Sequence, residues 1–448
     1  MKLLYFARTA GLSFINSVFE RSILGSAEKH YLTEFAALKD KLAPCHYLIN
    51  SDKKKQGIKR NILKKNEIAD VIKRDRYLSV IPKDRAVNMA ENAIAFIDNV
   101  FERVNPDVAV VKDLDTYTND IFLRIARQRN VLNFHMVIGV KGTMKFYLYN
   151  YPYERKAPYD GFDLYAFMEQ KSGNVYRKLP KDNLFLRLKN LYSGLLHFYR
   201  YRLKTSEDIR NKNTHILYRK KDVFVRPRFN LRDLRGGYYA DLNDVPENKK
   251  PLVFISLHYY PEATINYFTP DNSLIMHDEV VLDILSRYEG KYLFVVKEHP
   301  EMFNKRKINF YDKIKQFKKT ILLHPYIPSS EVLKKTDYVI SWAGSIGWEA
   351  PFYNTIPLNV IKPYFHVEGF SNYFNDYDDL MENLGKKIEK MSFNIEKYKQ
   401  GLNDRFKRIS WKGIPFAPYN SEDNINDLAH SVNQFLEEQS IYESLIKN

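Results

Sequence analysis

The sequence predicts an α/β protein with two parallel sheets. Two stretches of the chain, residues 3–137 and 252–360, alternate short apolar segments with amphipathic ones. Strands separated by helices of this length form βαβ units, in which the strands run parallel. At 448 residues the chain is also too long for one ordinary core, so two such sheets in separate domains are expected. A cleft between domains is a preferred ligand site.

The first stretch is the less regular of the two. Apolar residues recur at helical spacing in its longest helix, and short runs rich in valine and leucine mark its strands. Predicted strands are 3–7, 47–50, 107–112 and 131–137, and predicted helices are 33–41, 87–104 and 116–128.

The second stretch alternates strand and helix patterns more regularly, and a final helix follows it near the end of the chain. Predicted strands are 252–257, 292–297, 320–323, 338–341 and 355–360, and predicted helices are 278–288, 309–317, 329–335, one that begins near Ser345, and 425–445. These patterns divide the chain into a first domain 1–145, a basic and aromatic helical insertion 146–240, a second domain 241–415 and a C-terminal helix 416–448.

Composition excludes several classes of protein. Hydrophobic residues make up 44% and aromatic residues 15% of the chain, which is unlike a disordered protein. Cys45 is the single cysteine, so an internal disulfide and a thiolate-rich metal site are excluded and a reducing compartment is favoured. The apolar run at the N-terminus is too short for a signal peptide, and no run is long enough for a membrane span.

The net charge of +16 is concentrated in the insertion, where residues 177–235 contain 17 Lys and Arg against 5 Asp and Glu. Leucine and aromatic residues recur among these charges at helical spacing. A solvated helical connector with one buried face explains the pattern, and so does attachment to anionic lipid. Nucleic-acid binding is not expected, because no recognised nucleic-acid module accompanies the charge.

Three segments of the second stretch follow strands directly: 256–262, 297–300 and 342–349. In an open α/β sheet, ligands bind beyond the carboxyl ends of the strands. These segments are therefore the candidate ligand site.

In segment 342–349, an apolar strand enters a helix through glycine and serine. Amides near Ser345, Ile346 and Gly347 would hold a phosphate at the helix start, with the Ser345 hydroxyl as a further donor. Gly344 and Gly347 permit close approach of the backbone, and Glu349 could accept hydrogen bonds from ribose. The alternative is an ordinary serine-capped helix. The segment has neither the P-loop lysine nor the GxGxxG spacing.

Segment 297–300 reads Lys297-Glu298-His299-Pro300 after five apolar strand residues. Pro300 cannot continue the strand ladder, so it turns the chain outward and aims His299 above the sheet. We expect this charged trio to contact a phosphate or a base. A histidine with a structural role at a turn is the alternative.

Four further residues are candidates for acid, base or nucleophile. His258 and Glu262 are titratable residues after the first strand of the second stretch. Asp113 and Asp115 follow a strand of the first stretch, where a base or nucleophile on the acceptor side is expected. The pair resembles a metal-binding DxD tripeptide, but capping of the following helix also explains it.

Together, residues 257–264, 296–300 and 344–350 resemble the capsular polysaccharide biosynthesis family that includes the bacterial Kdo transferases. Members are similar to GT-B glycosyltransferases, which have two Rossmann-like domains facing a cleft, and the His-Pro pair is similar to that of bacterial sialyl- and polysialyltransferases. The resemblance covers residues 250–370 well and the first 240 residues only in general layout.

The resemblance implies that His299 contacts the nucleotide phosphate, that Ser345 occupies the phosphate-binding serine position and that Glu349 lies near the ribose. It implies no catalytic metal and no bound cofactor, with the nucleotide-sugar donor as co-substrate. The acidic pair before a glycine that supplies the base in sialyltransferases has only a partial counterpart at 159–161, so the base is left open. In GT-B enzymes a last helix often crosses back to the first domain.

The function implied is transfer of a sugar, favoured by analogy to be Kdo or a related acidic sugar from a CMP-linked donor, onto a bacterial surface polysaccharide or glycolipid. A UDP- or GDP-sugar donor is an alternative, as is a non-catalytic capsule-assembly protein with a degenerate nucleotide site. We expect a cytoplasmic protein that residues 177–235 hold against the anionic inner face of the inner membrane. The oligomeric state is not predicted.

Overall fold

A computed structural model of the chain describes two compact units. One comprises residues up to 148 and from 406 onward, and the other runs from 238 to 405. The described residues are 1–8, 11–53, 62–139, 143–148, 238–246, 250–260, 263–269, 271–302, 306, 308–342, 344–386, 394–415 and 419–446. The basic stretch 177–235, and with it nearly all of the predicted insertion, lies outside the described residues.

Strands are numbered in chain order. They are β1 (Lys2–Phe6), β2 (Glu28–Thr33), β3 (Cys45–Tyr47), β4 (Val108–Val111), β5 (Leu132–Ile138), β6 (Thr143–Leu148), β7 (Leu252–Ser256), β8 (Leu293–Lys297), β9 (Thr320–Leu323), β10 (Tyr338–Ser341), β11 (Ile356–Asn359), β12 (Asn372–Tyr373) and β13 (Trp411–Lys412).

The α-helices are numbered in the same way. They are α1 (Leu12–Arg21), α2 (Ala36–Lys39), α3 (Lys65–Arg74), α4 (Lys83–Val104), α5 (Tyr117–Gln128), α6 (Ala263–Phe268), α7 (His277–Tyr288), α8 (Ile308–Ile314), α9 (Ser329–Leu333), α10 (Ile346–Glu349), α11 (Tyr377–Gly385), α12 (Ile395–Ile409) and α13 (Glu422–Ile446). Short 3-10 helices are Ile23–Ser26, Leu78–Val80, Leu242–Asp244, Asn272–Ile275, Pro300–Met302 and Ala350–Tyr353.

The first sheet has the strand order β13-β6-β5-β4-β1-β2-β3. From β5 to β3 all neighbours are parallel, whereas β6 is antiparallel to both β5 and β13. Its central strand β4 is a run of four buried residues, Val-Ala-Val-Val, because helices cover both faces of a parallel sheet. The following helix α5 begins at Thr116, whose hydroxyl accepts a hydrogen bond from the Asn119 amide at 3.3 Å.

The C-terminal helix α13 belongs to the first unit and packs on α1 and β13. Its Phe435 ring stacks on Phe146 of β6 with centroids 4.3 Å apart and contacts Phe134 of β5 at 5.1 Å. Leu428 and Val432 enter the same core. The predicted C-terminal crossover helix is therefore present. Residues from 406 onward belong to the first unit, where β13 pairs with β6 of the first sheet.

The second sheet is entirely parallel, with the order β12-β11-β10-β7-β8-β9. Residues on its two faces alternate between two buried clusters. One face packs on α7 and α8 through residues such as Ile255, Val296 and Ile340. The other packs on α9 and α10 through residues such as Phe254, Val295 and Val339. This layering confirms the predicted fold class of two mainly parallel α/β sheets.

Several predictions for the first stretch were wrong. Residues 33–41 do not form one helix, because β2 extends to Thr33 and only Ala36–Lys39 are helical. The second strand of the prediction, 47–50, lies instead at Cys45–Tyr47. The pattern also missed β2, β6, α1 and α3. Among the described residues, none of the helices is both long enough and apolar enough to cross a bilayer.

Candidate functional site

The second sheet reverses its direction of growth at β7. The chain places β8 and β9 on one side of β7 and then returns to place β10, β11 and β12 on the other side. The connections on either side of such a reversal leave a crevice beyond the carboxyl ends of the two strands that flank it. That crevice lies between β7 and β10. Because β8 is the other neighbour of β7, the three predicted segments leave adjacent strands at the same edge of the sheet.

His258 ties the first of these segments to the third. The Trp342 amide donates to His258 Nε2 at 3.1 Å, and the Ser341 hydroxyl lies 3.3 Å from the same nitrogen. The ring is buried, and burial together with the nearby His277 lowers the pKa of His258 to about 3. His258 is therefore a neutral imidazole whose Nε2 accepts hydrogen bonds from the β10 segment. Acid–base catalysis by His258 stays a prediction, and it would require the release of these bonds.

The two glycines of the third segment are needed for close packing. A Cβ on Gly344 would lie 2.9 Å from Cε1 of His258, and a Cβ on Gly347 would collide with Oδ1 of Asn359 at the end of β11. The Gly344 amide donates to the Ser341 hydroxyl at 3.3 Å. The glycines thus bring the backbone of 344–347 down onto the strand ends, and their predicted role in close approach to a phosphate stays a prediction.

Glu298 is fully buried directly after β8. Its Oε1 accepts from the His299 amide at 2.7 Å and from Arg306 Nη2 at 3.3 Å, and its Oε2 accepts from Arg306 Nε and the Tyr311 hydroxyl, each at 2.6 Å. Four donors occupy a carboxylate that offers about four acceptor positions. Glu298 therefore acts by fixing the His299 backbone, and its predicted contact with a ligand stays a prediction.

Arg306 joins the ends of β7 and β8, and sequence reasoning missed it. Besides Glu298, its buried guanidinium bonds to the His258 carbonyl at 2.6 Å and forms an ion pair with Asp278 at the start of α7. Burial alone would raise the pKa of Asp278, but the Arg306 charge holds it below its ordinary value. One arginine thus fixes the first two segments and the start of α7 relative to each other.

A histidine below the site completes this network. His277 is fully buried, its ring stacks on Tyr260 with centroids 5.6 Å apart, and its Nδ1 lies 3.2 Å from an Asp278 carboxylate oxygen. The His258 amide lies 3.4 Å from His277 Nε2. Burial is the main cause of the lowered pKa of His277. The stacking of His277 on Tyr260 and the polar contact of His277 with the His258 amide thus hold residues 256–260 of segment 256–262 in place.

Two predicted ligand contacts are on the surface. His299 is exposed, with its ring edge-on to Tyr259 at 6.2 Å. Ser345 is exposed and its side chain caps no helical amide, so the capped-helix alternative does not account for it. Pro300 begins a 3-10 helix, Pro300–Met302, as expected for a residue that ends the strand ladder.

The remaining predicted residues of the third segment lie in α10. Ile346 and Gly347 are buried there. Glu349 is half-buried, and its charge adds to burial in raising the pKa of Tyr364 and Tyr398. Glu349 therefore lies among tyrosines, and its predicted contact with ribose stays a prediction.

Lys297, the last residue of β8, is 3% exposed. Its amine lies 3.4 Å from the Glu298 and Pro325 carbonyls, and within the described part of the chain it pairs with no carboxylate. Burial lowers the pKa of Lys297 to about 8. The predicted cation is present at the strand end, but it points into the protein.

The predicted aspartates of the first unit differ from each other. Arg8, at the end of β1, binds the Asp115 carboxylate with both terminal nitrogens, one of them at 2.9 Å. The Asp113 side chain is 47% exposed and lies 3.6 Å from the Lys112 amine. Partial burial and the neighbouring Asp115 charge raise the pKa of Asp113. The reversal of the first sheet falls between β1 and β4, so both aspartates lie at its equivalent edge.

Glu262 lies outside the described residues. In the part of the chain that the structure describes, no three His, Cys, Asp or Glu side chains come together as ligands for a metal. Sequence reasoning also missed Ser341, His277 and Tyr311. A hydroxyl ending an apolar strand was the available signal for Ser341, whereas nothing local marks Tyr311.

We predict that Arg306→Met destabilises the protein by about 3–5 kcal/mol, because it leaves the Glu298 carboxylate buried without its charge partner. Urea denaturation measures the change. Glu298→Gln added to Arg306→Met should recover part of the loss, since the uncompensated charge is removed.

Arg287→Met is the matched control, because Arg287 forms an ion pair with Asp283 while its side chain is 51% exposed, and such pairs contribute less than about 1 kcal/mol. If Arg306→Met costs no more than Arg287→Met, Arg306 does not hold the site together.

Comparison with known proteins finds likeness among solved structures alone. No family model and no curated protein matches the chain. UDP-GlcNAc 2-epimerase from Neisseria meningitidis matches 100% of both chains at 14% identity with a TM-score of 0.24. The KpsC β-Kdo 2,7 transferase of Thermosulfurimonas dismutans matches 96% of this chain and 98% of its own at 11% identity with a TM-score of 0.36. Kdo transferases, which the three segments resemble, are thus among the matches. At such identities and TM-scores, these likenesses do not tell what this chain binds.

Proposed function

We propose that the protein is a glycosyltransferase that takes its sugar from a nucleotide donor bound by the second unit. The observation that carries the proposal is the meeting of three predicted ligand segments at the reversal of the second sheet. Each segment directly follows a strand, and those strands, β10, β7 and β8, are neighbours in the sheet. Crevices at such reversals are where open α/β sheets bind nucleotides.

In this site the buried groups hold the backbone in place, and the exposed groups bind the donor. The Glu298–Arg306 pair fixes the backbone that carries His299, and His258 fixes the segment that carries Ser345. His299 and Ser345 are the exposed members. We propose that they contact the donor phosphates, so that the negative charge of the leaving nucleotide is stabilised by groups already held in place.

For the acceptor we propose the first unit, with Asp113 as the general base. Asp115 is held by Arg8, so withdrawing its carboxylate would leave a buried guanidinium without a partner. Asp113 has the exposed carboxylate, and its raised pKa makes it a stronger proton acceptor once ionised. Asp115 then serves to order the strand end from which Asp113 projects.

Donor and acceptor are proposed more finely from the resemblance of the three segments. It favours CMP-linked Kdo or a related acidic sugar, transferred onto a surface polysaccharide or glycolipid, with no catalytic metal. The basic stretch 177–235 would hold the enzyme at the anionic inner face of the membrane. A UDP- or GDP-sugar donor is the alternative within the class. A non-catalytic capsule-assembly protein is the alternative outside it.

We expect one nucleotide of a panel of CMP, CDP, UMP, UDP and GDP to raise the melting temperature. If the donor is CMP-linked, that nucleotide is CMP. His299→Ala should abolish most of that increase, because it removes a phosphate contact and leaves the buried network intact. His430→Ala is the control, since His430 is an exposed histidine of α13 in the first unit.

If UDP or GDP alone raises the melting temperature, the protein is still proposed to be a glycosyltransferase, but with a UDP- or GDP-sugar as its donor. If no nucleotide stabilises the wild-type protein, the transferase proposal fails and the non-catalytic reading takes its place.

We further expect Asp113→Asn to lower the turnover of transfer by about 10²–10⁴-fold, the usual contribution of a positioned base, with little change in melting temperature. Asp115→Asn should instead lower the melting temperature, because it weakens the partner of buried Arg8. The assay is release of free nucleotide from the donor that the binding panel identifies, with an acceptor glycan present. Equal turnover in Asp113→Asn and wild type would rule Asp113 out as the base.

A further inference from the structure

The residues that end the strands of the second sheet form a polar row on one face. Asn359 pairs with Ser341 across β11 and β10, and Ser256 pairs with Lys297 across β7 and β8. Ile340 pairs with Ile255 one residue earlier, which aligns Ser341 with Ser256. Neighbours in register on parallel strands point to the same face. We call Asn359, Ser341, Ser256 and Lys297 the polar end row.

The same face is apolar one step further into the sheet. Two residues before the polar end row, these strands carry Pro357, Val339, Phe254 and Val295. The last three belong to the buried cluster under α9 and α10. A sheet face needs apolar residues to pack, so four polar residues in one row require a separate explanation.

At one end of the row the polar groups are only partly engaged within the protein. The Asn359 side-chain nitrogen donates to the Asn372 carbonyl at 3.4 Å, while its Oδ1 accepts no hydrogen bond among the described residues. The Ser341 hydroxyl accepts from the Gly344 amide at 3.3 Å and meets His258 Nε2 at 3.3 Å. Asn359 is fully buried under Gly347. The 344–347 backbone lies over this end of the row.

At the other end the polar groups lack such partners. Lys297 carries a buried amine with two carbonyl contacts at 3.4 Å, the outer limit of a hydrogen bond, and it has no carboxylate partner among the residues that the structure describes. The adjacent carboxylate of Glu298 points to the opposite face, where Arg306 and Tyr311 hold it. Ser256 is half-buried, and within the described residues its hydroxyl makes no hydrogen bond. A buried cation without a counter-charge is costly unless an anion joins it.

We propose that Lys297 and Ser256 form an oxyanion site that binds a phosphate group, with the amine as counter-charge and the hydroxyl as donor. The site deepens the proposed function, on which its assignment to the donor's phosphate rests. It lies at the end of β7, beside the crevice between β7 and β10. Ser256 and Lys297 are paired in register on neighbouring strands, which lie about 4.8 Å apart, so both side chains leave the same face of the sheet.

A purely structural lysine is the competing explanation. In that case the amine serves only to tie the Pro325 loop to the end of β8, and its removal lowers stability without affecting anions. The two explanations separate when anion binding and stability are measured on the same variants.

The experiment titrates inorganic phosphate, CMP and cytidine against wild type, Lys297→Met and Ser256→Ala, following heat of binding and melting temperature. We expect Lys297→Met to weaken binding of phosphate and CMP at least about tenfold, and Ser256→Ala to weaken it about threefold to tenfold, the usual net contribution of one hydrogen bond. Cytidine, which has no phosphate, should bind all three proteins alike. Lys313→Met is the matched control, because Lys313 is an exposed lysine of α8 on the opposite face of the sheet.

A second readout is the pH dependence of anion binding by the wild-type protein, with Lys297→Met as its control. Burial lowers the pKa of Lys297 to about 8, with Glu298 opposing the shift, and a bound anion stabilises the charged amine. Affinity of the wild-type protein for sulfate, whose charge is constant over this range, should therefore fall as pH rises above about 8. The fall approaches tenfold per pH unit, and Lys297→Met should abolish it.

Unchanged phosphate affinity in Lys297→Met, with or without a lower melting temperature, overturns the oxyanion site. So does a sulfate affinity that is flat above pH 8. These outcomes are distinct from failure of the proposed function. If Lys297→Met binds CMP normally, the proposed function stands and the oxyanion site is wrong. If the protein binds phosphate through Lys297 but binds no nucleotide, the oxyanion site stands and the proposed function is wrong.

Discussion

The candidate site depends on one buried ion pair, between Arg306 and Glu298. Each partner alone would be a charge in a nearly water-free interior, which is strongly unfavourable. Together with the Tyr311 hydroxyl and the His258 carbonyl, they satisfy almost every polar position they carry. The pair joins two strand ends and the start of α7. Such a network contributes less to stability than to a single arrangement of the segments it joins.

The network also explains the division of labour among the charged residues of segment 297–300. Consecutive strand residues point to opposite faces, so Lys297 and Glu298 enter different environments although they are adjacent in sequence. Glu298 is paired with an arginine, whereas the described hydrogen-bond partners of the Lys297 amine are two backbone carbonyls. His299, next along the chain, is exposed. Three adjacent polar residues thus lie in three environments: Glu298 is buried against Arg306, Lys297 is buried beside backbone carbonyls, and His299 is exposed.

The sequence predicted the second sheet well because its strands are short apolar runs at regular βαβ spacing, and it therefore also predicted which segments end those strands. It failed where tertiary contacts override local pattern. β2 begins with Glu28, Lys29 and His30, which do not form a buried apolar run, and β13 has two residues whose strand character comes from pairing with β6. Arg306 stands in a polar stretch of the sequence, and its role depends on partners 8 and 28 residues away.

The central claim is that a nucleotide binds at the carboxyl ends of β7, β8 and β10, and hydrogen exchange with and without nucleotide tests it most directly. With the nucleotide that stabilises the protein most, we expect slower exchange in peptides that cover 257–260, 298–302 and 344–349, and unchanged exchange in the strands of the first sheet. Protection confined to the strand ends of the first unit, or spread evenly over the chain, would contradict this location.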